Sequence, residues 1–175
     1  MLASLAMPSI QVERVELEED SARNFTANGT IDESDAQTLL TNLNANNPID
    51  VMGVMDDTNK IHLVWIENSS APLLRYALIQ ISSAIDTILI STTQVGGNNS
   101  TSLSSPSMVI DSAGRAHIVW EVTDTEILYT ILDPSEDDQD GSEGDITNMT
   151  VVSHTVADGS GTRSDPDIAV DTYDA

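Results

Sequence analysis

The sequence contains no cysteine, which excludes disulfides, thiolate metal sites and thiol redox chemistry. Positive charge is nearly absent too. One lysine, Lys60, and five arginines stand against 29 acidic residues, for a formal net charge of −23. Phosphate binding needs clustered Arg or Lys, so such a surface repels nucleic acid and anionic membranes. No run approaches the ~20 apolar residues that a bilayer span requires, and no membrane insertion is expected of this segment. The opening MLASLAMPSI is mildly apolar but has neither a basic n-region nor a long h-region, and it does not read as a signal peptide. Aromatic residues make up only 3% of the chain, so any pattern in their placement carries weight.

What is present is enough for one ordinary domain: 175 residues, 39% of them hydrophobic. Aspartate outnumbers glutamate 19 to 10. Self-repulsion on this scale is met by high salt that screens it, by Ca²⁺ that binds carboxylates, or simply serves solubility. Six Asn-x-Ser/Thr sequons, at Asn24, Asn28, Asn68, Asn98, Asn99 and Asn148, lean towards a glycosylated extracellular surface.

Repetition organises the rest. NKIHLVWIE at 59–67 is answered by GRAHIVWEV at 114–122, with His62 and His117 fifty-five positions apart. In this alignment Asp56 matches Asp111, Asn59 matches Gly114, and Trp65 matches Trp120. Further on, LLRYALI (73–79) resembles EILYTIL (126–132), aligning Tyr76 with Tyr129, and ILISTTQV (88–95) resembles MTVVSHTV (149–156). A third copy begins at DPDIAVDTYDA (165–175), where Asp171 matches Asp111 at a shift of sixty. Four of the six aromatic residues fall on matched positions, which chance does not arrange.

Each unit reads as four short antiparallel strands. In the second, SMVID is a first strand and SAGR a turn whose Gly114 accepts positive φ. AHIVWEV alternates and is β-branched, so it reads as a half-buried strand; EILYTIL and MTVVSHTV complete the set. Four strands every 55–60 residues fit a blade of a β-propeller. The expected fold is therefore all-β: a partial propeller, with a first blade over 47–104, a second over 105–164 and the start of a truncated third over 165–175. Residues 1–46 form an acidic N-terminal segment or insertion. There VERVELEED could be the last strand of a preceding blade, and a short helix is expected over 35–44, with Ser34 and Gln37 placed as a capping box. Two blades and a start do not close a ring, so the chain reads as a piece of a larger propeller; a β-sandwich of the two sheets is the structural runner-up.

The stretch PSMVIDSAGRAHIVW (106–120) resembles repeats of bacterial and archaeal surface propellers in the sialidase-like, BNR-type superfamily. VMDDTNKIHLVW (54–65) is a looser copy and PDIAVDTYDA (166–175) an incomplete one. The resemblance covers roughly residues 47–175 and is specific for the repeat, not for an activity. Sialidases of that superfamily use an arginine triad, a Tyr–Glu nucleophile pair and an Asp acid/base, and the matched motif reaches none of these. The Ser-x-Asp-x-Gly-x-Thr-Trp box is absent as well.

Weighed as chemistry, His62 and His117 could ligate a metal or act as bases, but repeated residues within strands read as structural, bonded to the neighbouring blade or a turn carbonyl. Trp65 and Trp120 read as packing between blades, and Asp56, Asp111 and Asp171 as caps of the turns that follow them. Ser153, His154 and Asp158 lie close in sequence, but catalytic triads assemble from distant segments and no Gly-x-Ser-x-Gly elbow exists. The loop DPSEDDQDGSEGD (133–145) is the candidate ligand site. There Glu136, Asp138 and Asp140 before Gly141 partly mimic the start of a Ca²⁺ loop, though Thr147 stands where the bidentate glutamate belongs. A solvated acidic loop is the alternative. The sequence thus leads to an expectation of a non-enzymatic extracellular or cell-surface repeat segment of a salt-exposed microbe, a scaffold or recognition module for protein or glycan. The rivals are a fragment of a sialidase-like glycoside hydrolase with its catalytic residues elsewhere, and a solely structural surface repeat.

Overall fold

The computed structural model describes residues 25–26, 30–31, 41, 43, 45–81, 87–97, 102–123, 126–157, 161–162 and 164–170. The expected helix over 35–44 lies outside these, apart from Thr41 and Leu43, as do VERVELEED and Asp171. The described residues are all-β in character. A short antiparallel pair, β1 (Phe25–Thr26) and β2 (Thr30–Ile31), comes first. Two four-stranded antiparallel sheets follow, each a meander in chain order. The first holds β3 (Pro48–Met55), β4 (Lys60–Glu67), β5 (Leu73–Gln80) and β6 (Thr87–Gly97). The second holds β7 (Leu103–Ile110), β8 (Ala116–Val122), β9 (Glu126–Leu132) and β10 (Thr150–Ala157). A 3₁₀ turn, Pro134–Glu136, and one α-helical turn, α1 (Ile146–Met149), interrupt the β9–β10 connection.

The registers of the two sheets repeat pair by pair. Met52 opposite Val64 recurs as Ser107 opposite Val119, and Val54 opposite His62 as Val109 opposite His117. Val64 opposite Tyr76 recurs as Val119 opposite Tyr129, and Tyr76 opposite Thr93 as Tyr129 opposite His154. Even the irregularity recurs. Each first strand slips register, between Ile49 and Met52 in one sheet and between Ser104 and Ser107 in the other. Within each slip one residue takes positive φ: Asp50 at 47° and Ser105 at 52°. Asp165, at the same place in the third copy, has φ 52°. A bulge needs one residue outside the ladder, and a short polar side chain tolerates the left-handed region best after glycine.

The second strands are buried along almost their whole length, and the first sheet is covered on both sides there, with a core cluster on each face. The packing between sheets is head-to-tail. The first sheet offers Val64, Ile66, Leu74, Tyr76, Leu78 and Ile90. The second answers with Ala116, Ile118, Trp120 and Val122, the counterparts of Ile61, Leu63, Trp65 and Glu67 on the opposite face of the first sheet. Ile61, Leu63, Trp65, Ala77 and Ile79 form a second core with Leu43 and Val51. The Trp120 ring lies against Gly96, where a Cβ would stand 2.8 Å from Trp120 Cζ2. The absent side chain on β6 makes room for the indole from β8.

Candidate functional site

The repeated polar residues form one constellation twice. After β3 and after β7 the chain turns back, with Asp56 N–H donating to Lys60 O at 2.9 Å and Asp111 N–H to Arg115 O at 3.0 Å. The aspartate carboxylate closes each turn from inside. Asp56 Oδ1 accepts from Thr58 N and Lys60 N, and Asp111 Oδ1 from Ala113 N and Arg115 N, all at 2.8–2.9 Å. This is the Asx-type cap that the sequence pattern implies. The turn also needs a left-handed residue, supplied by Asn59 (φ 62°) and Gly114 (φ 79°).

The second carboxylate oxygen points at histidine. His117 Nε2 lies 3.0 Å from Asp111 Oδ2, and His62 Nε2 lies 3.5 Å from Asp56 Oδ2, too far for a well-formed bond. Each imidazole then reaches the third strand: His62 Nδ1 is 2.8 Å from the Tyr76 hydroxyl and His117 Nδ1 2.7 Å from that of Tyr129. A carboxylate can only accept, so in a neutral imidazole the proton sits on Nε2, and Nδ1 accepts from the phenol. Both histidines thus bond a tyrosine of their own sheet, and His117 also bonds the turn's carboxylate, where the sequence pointed to a neighbouring blade or a turn carbonyl.

The electrostatics fit a structural staple. Burial raises the carboxyl pKa of Asp56 and Asp111, but bonds from histidine, the turn's N–H groups and, for Asp111, the Arg115 guanidinium outweigh it and hold both well below the ordinary carboxylate range. Arg115 Nε donates to Asp111 Oδ2 at 2.7 Å. Burial pushes the Tyr76 phenol well above its usual value, with Asp56 and Asp137 adding to the rise. Tyr129 is also raised by burial, against an opposing effect of Arg115. Both phenols stay protonated at neutral pH, the reverse of what a phenolate nucleophile needs.

The two copies differ in exposure. His62 and Tyr76 are withdrawn from solvent, whereas His117 and Tyr129 are half-buried and the exposed His154 ring meets the Tyr129 ring edge-on at 5.2 Å. Trp65 and Trp120 are buried with both indole N–H groups unpaired, so these rings serve by apolar area alone.

The acidic loop keeps Glu136, Asp138 and Asp140 exposed while its backbone meets the first sheet. Among the described residues no group of three His, Asp or Glu side chains is arranged to hold a metal ion, Glu136, Asp138 and Asp140 included. Three of its carboxylates bond the loop's own backbone: Asp137 accepts from Gln139 N and Asp145 N, Asp140 from Ser142 N, and Asp145 caps α1. The serine bonds hold Asp140 below its ordinary value. The loop as a whole is a clasp on the first sheet. Gly141 N–H donates to Leu89 O at 2.8 Å, Leu89's neighbour-but-one Ser91 donates to Ser142 O at 2.7 Å, and Gly144 N–H donates to Thr93 Oγ1 at 2.9 Å. Arg75 Nη1 stands 4.0 Å from Glu143, and a Cβ on Gly144 would come within 2.7 Å of Ile90 Cγ2. The outer edge of β6 is thereby paired, which removes an exposed strand edge.

A third feature escaped the sequence reading. The bulge residues of successive first strands touch. Asp50 Oδ2 accepts from Ser105 N at 3.4 Å, and Asp165 Oδ1 from the Ser105 hydroxyl at 3.1 Å. Two residues on, the Ser107 hydroxyl donates to Asp167 Oδ1 at 2.9 Å. The only signal was a small polar residue before Val51, Pro106 and Pro166, which implies a bulge only once the strands are known to pair with a slip. Compared with protein-family models, curated proteins and solved structures, the chain matches none.

Proposed function

We propose that the chain is a β-propeller repeat segment of the sialidase-like kind at the cell surface, without catalytic activity, serving as a scaffold or recognition module for protein or glycan. The observation that carries the reading is the recurring step. Position 50 meets position 105, and position 105 meets position 165, through the same bulge residue in the same left-handed conformation. A head-to-tail relation repeated this way generates a ring or an open array, and a ring of four-stranded meanders is a propeller. The absence of enzyme chemistry in the reading is supported by residues already committed elsewhere. Arg75 is held by Glu67 at 3.0 Å and Arg115 by Asp111, so neither described arginine is free for a substrate carboxylate. The Asp–His–Tyr staples keep their phenols protonated. The net charge of −23 suits a salt-bathed exterior. The test pairs two assays. Fluorogenic sialosides should give no turnover, and protease added to intact source cells should remove the protein completely. Turnover, or full protection from external protease, would sink the reading.

A further inference from the structure

Of the six Asn-x-Ser/Thr sequons, those at Asn68 and Asn148 fall wholly within the described residues, and the fold treats them oppositely. Residues 68–72 join β4 to β5 at the end of the first sheet; 68–71 are exposed and belong to neither core. The backbone there is held without engaging the acceptor. Asn68 N–H donates to Asn47 O at 3.1 Å, and Asn47 Nδ2 donates to Asn68 O at 3.0 Å. The Ser69 hydroxyl donates to Ala71 O at 2.8 Å and accepts from Ala71 N–H at 3.2 Å. Among the described residues no hydrogen bond engages the Asn68 carboxamide or the Ser70 hydroxyl. The second sequon is committed to structure. Asn148 lies in α1, Met149 is buried, and the Thr150 hydroxyl donates to Ile146 O at 2.6 Å. Met149 O accepts from Asp133 N–H at 2.8 Å, and Thr150 pairs with Leu132 across β10 and β9.

We propose that Asn68 is an N-glycan acceptor of the folded chain and that Asn148 is not. A sequon must lay its carboxamide and the hydroxyl two positions on into an enzyme cleft together. An exposed turn outside any ladder permits this, and a helical turn feeding a strand does not. The inference rests on the cell-surface reading, since such transfer belongs to exported chains, and it adds a covalent site. In the transfer, Asn68 Nδ2 attacks the anomeric carbon of a sugar carried as a lipid pyrophosphate ester. The N–C bond forms as the C–O bond to phosphate breaks; the phosphate leaves with the electron pair, and Nδ2 gives one proton to the transferase's base. The chain supplies only the acceptor: a free carboxamide, a free hydroxyl, and a turn that Asn47 and Ser69 hold open. A bulky hydrophilic chain at this strand end displaces no packed side chain.

The test presents the purified, unmodified, folded chain to a detergent-solubilised oligosaccharyltransferase with its lipid-linked oligosaccharide. The transferase is one chosen for accepting the synthetic peptide 64–74, and peptide mass spectrometry reads the occupancy of each site. Occupancy at Asn68 should exceed that at Asn148 by roughly tenfold or more. Ser70→Ala, on an exposed side chain, should abolish it, and Ser70→Thr should restore it. An unmodified Asn68 on the folded chain, equal occupancy at the two sites, or modification that survives Ser70→Ala would each overturn the assignment. Protein recovered from source cells should carry a sugar mass on the Asn68 peptide. Protein that external protease strips from the cells yet bears no sugar at Asn68 overturns the inference and leaves the surface reading standing. Full protection from protease overturns the surface reading, and the transferase assay then decides the acceptor by itself.

Discussion

His62 and Tyr76, fourteen residues apart on adjacent strands, share a 2.8 Å hydrogen bond with both side chains withdrawn from water. Their counterparts His117 and Tyr129 share a 2.7 Å bond that solvent reaches. The same chemistry in two settings separates the effect of a bond from the effect of its burial. His62→Ala leaves a buried phenol unpaired beside a cavity and should cost about 3 kcal/mol. His117→Ala lets water replace the imidazole and should cost about 1 kcal/mol. Urea unfolding of the two variants measures the difference; equal losses would mean that burial does not govern the staple.

Acid should destabilise the protein through Asp56 and Asp111. Their folded pKa values lie below the unfolded one, so the stabilisation is present above the ordinary aspartate value of about 4 and is lost as pH falls towards the depressed folded values. Alkali acts through the tyrosines with the opposite sign. Their folded values are raised, so the stabilisation holds below about pH 10 and is lost as pH rises through the folded values. Melting temperature against pH should fall at both ends. In an ultraviolet titration Tyr129 should ionise before Tyr76, and Tyr129→Phe should lower the amplitude of the earlier part of the curve while leaving the latest step in place.

Two glycines should fail for different reasons. Gly96→Ala drives a methyl into the Trp120 ring, and overpacking of this kind costs about 1–3 kcal/mol. Gly114→Ala meets nothing within 4 Å, and its cost, about 1 kcal/mol, is purely that of a left-handed backbone. Asn59→Gly, at the matching turn, should be neutral or slightly stabilising. Thermal melts of the three variants order them; an Asn59→Gly loss as large as that of Gly114→Ala would contradict the turn equivalence.

Salt should stabilise the chain by screening, since 29 acidic residues repel one another. NaCl and CaCl₂ at matched ionic strength should raise the melting temperature by similar amounts, because Asp137, Asp140 and Asp145 are engaged by backbone N–H groups and no three acidic side chains among the described residues are grouped to hold a cation. A rise at micromolar Ca²⁺ that NaCl does not reproduce would restore the metal loop. Thr93→Val, which removes the acceptor of Gly144 N–H, should loosen the clasp by about 1 kcal/mol.

The strands and their equivalence were legible in the sequence, because period-two alternation and scarce aromatics mark local geometry. SMVID, AHIVWEV, EILYTIL and MTVVSHTV lie in or across β7, β8, β9 and β10, and Tyr129 opposite His154 reproduces the alignment of 88–95 with 149–156. The Asp turns were legible for the same reason: an Asx cap spans four residues. The partner of His117 was not, since it required knowing that Tyr129 lies beside it across a strand pair and Asp111 at its end.

Sequence by itself determined the period, the strand content, the turn chemistry and the extreme charge, all of which are set by residues near one another in the chain. Only the tertiary structure decided that the backbone of the acidic loop grips β6, that Gly96 exists to admit Trp120, and that Ser105 links Asp50 to Asp165. These depend on contacts between distant positions, from Gly96 and Trp120 on strands of different sheets to Ser105 and Asp165 sixty residues apart. An exposed carboxylate, a bulge serine and a strand glycine look alike in sequence whatever lies opposite them. Their meaning comes from the neighbour, and the neighbour is chosen when two sheets pack.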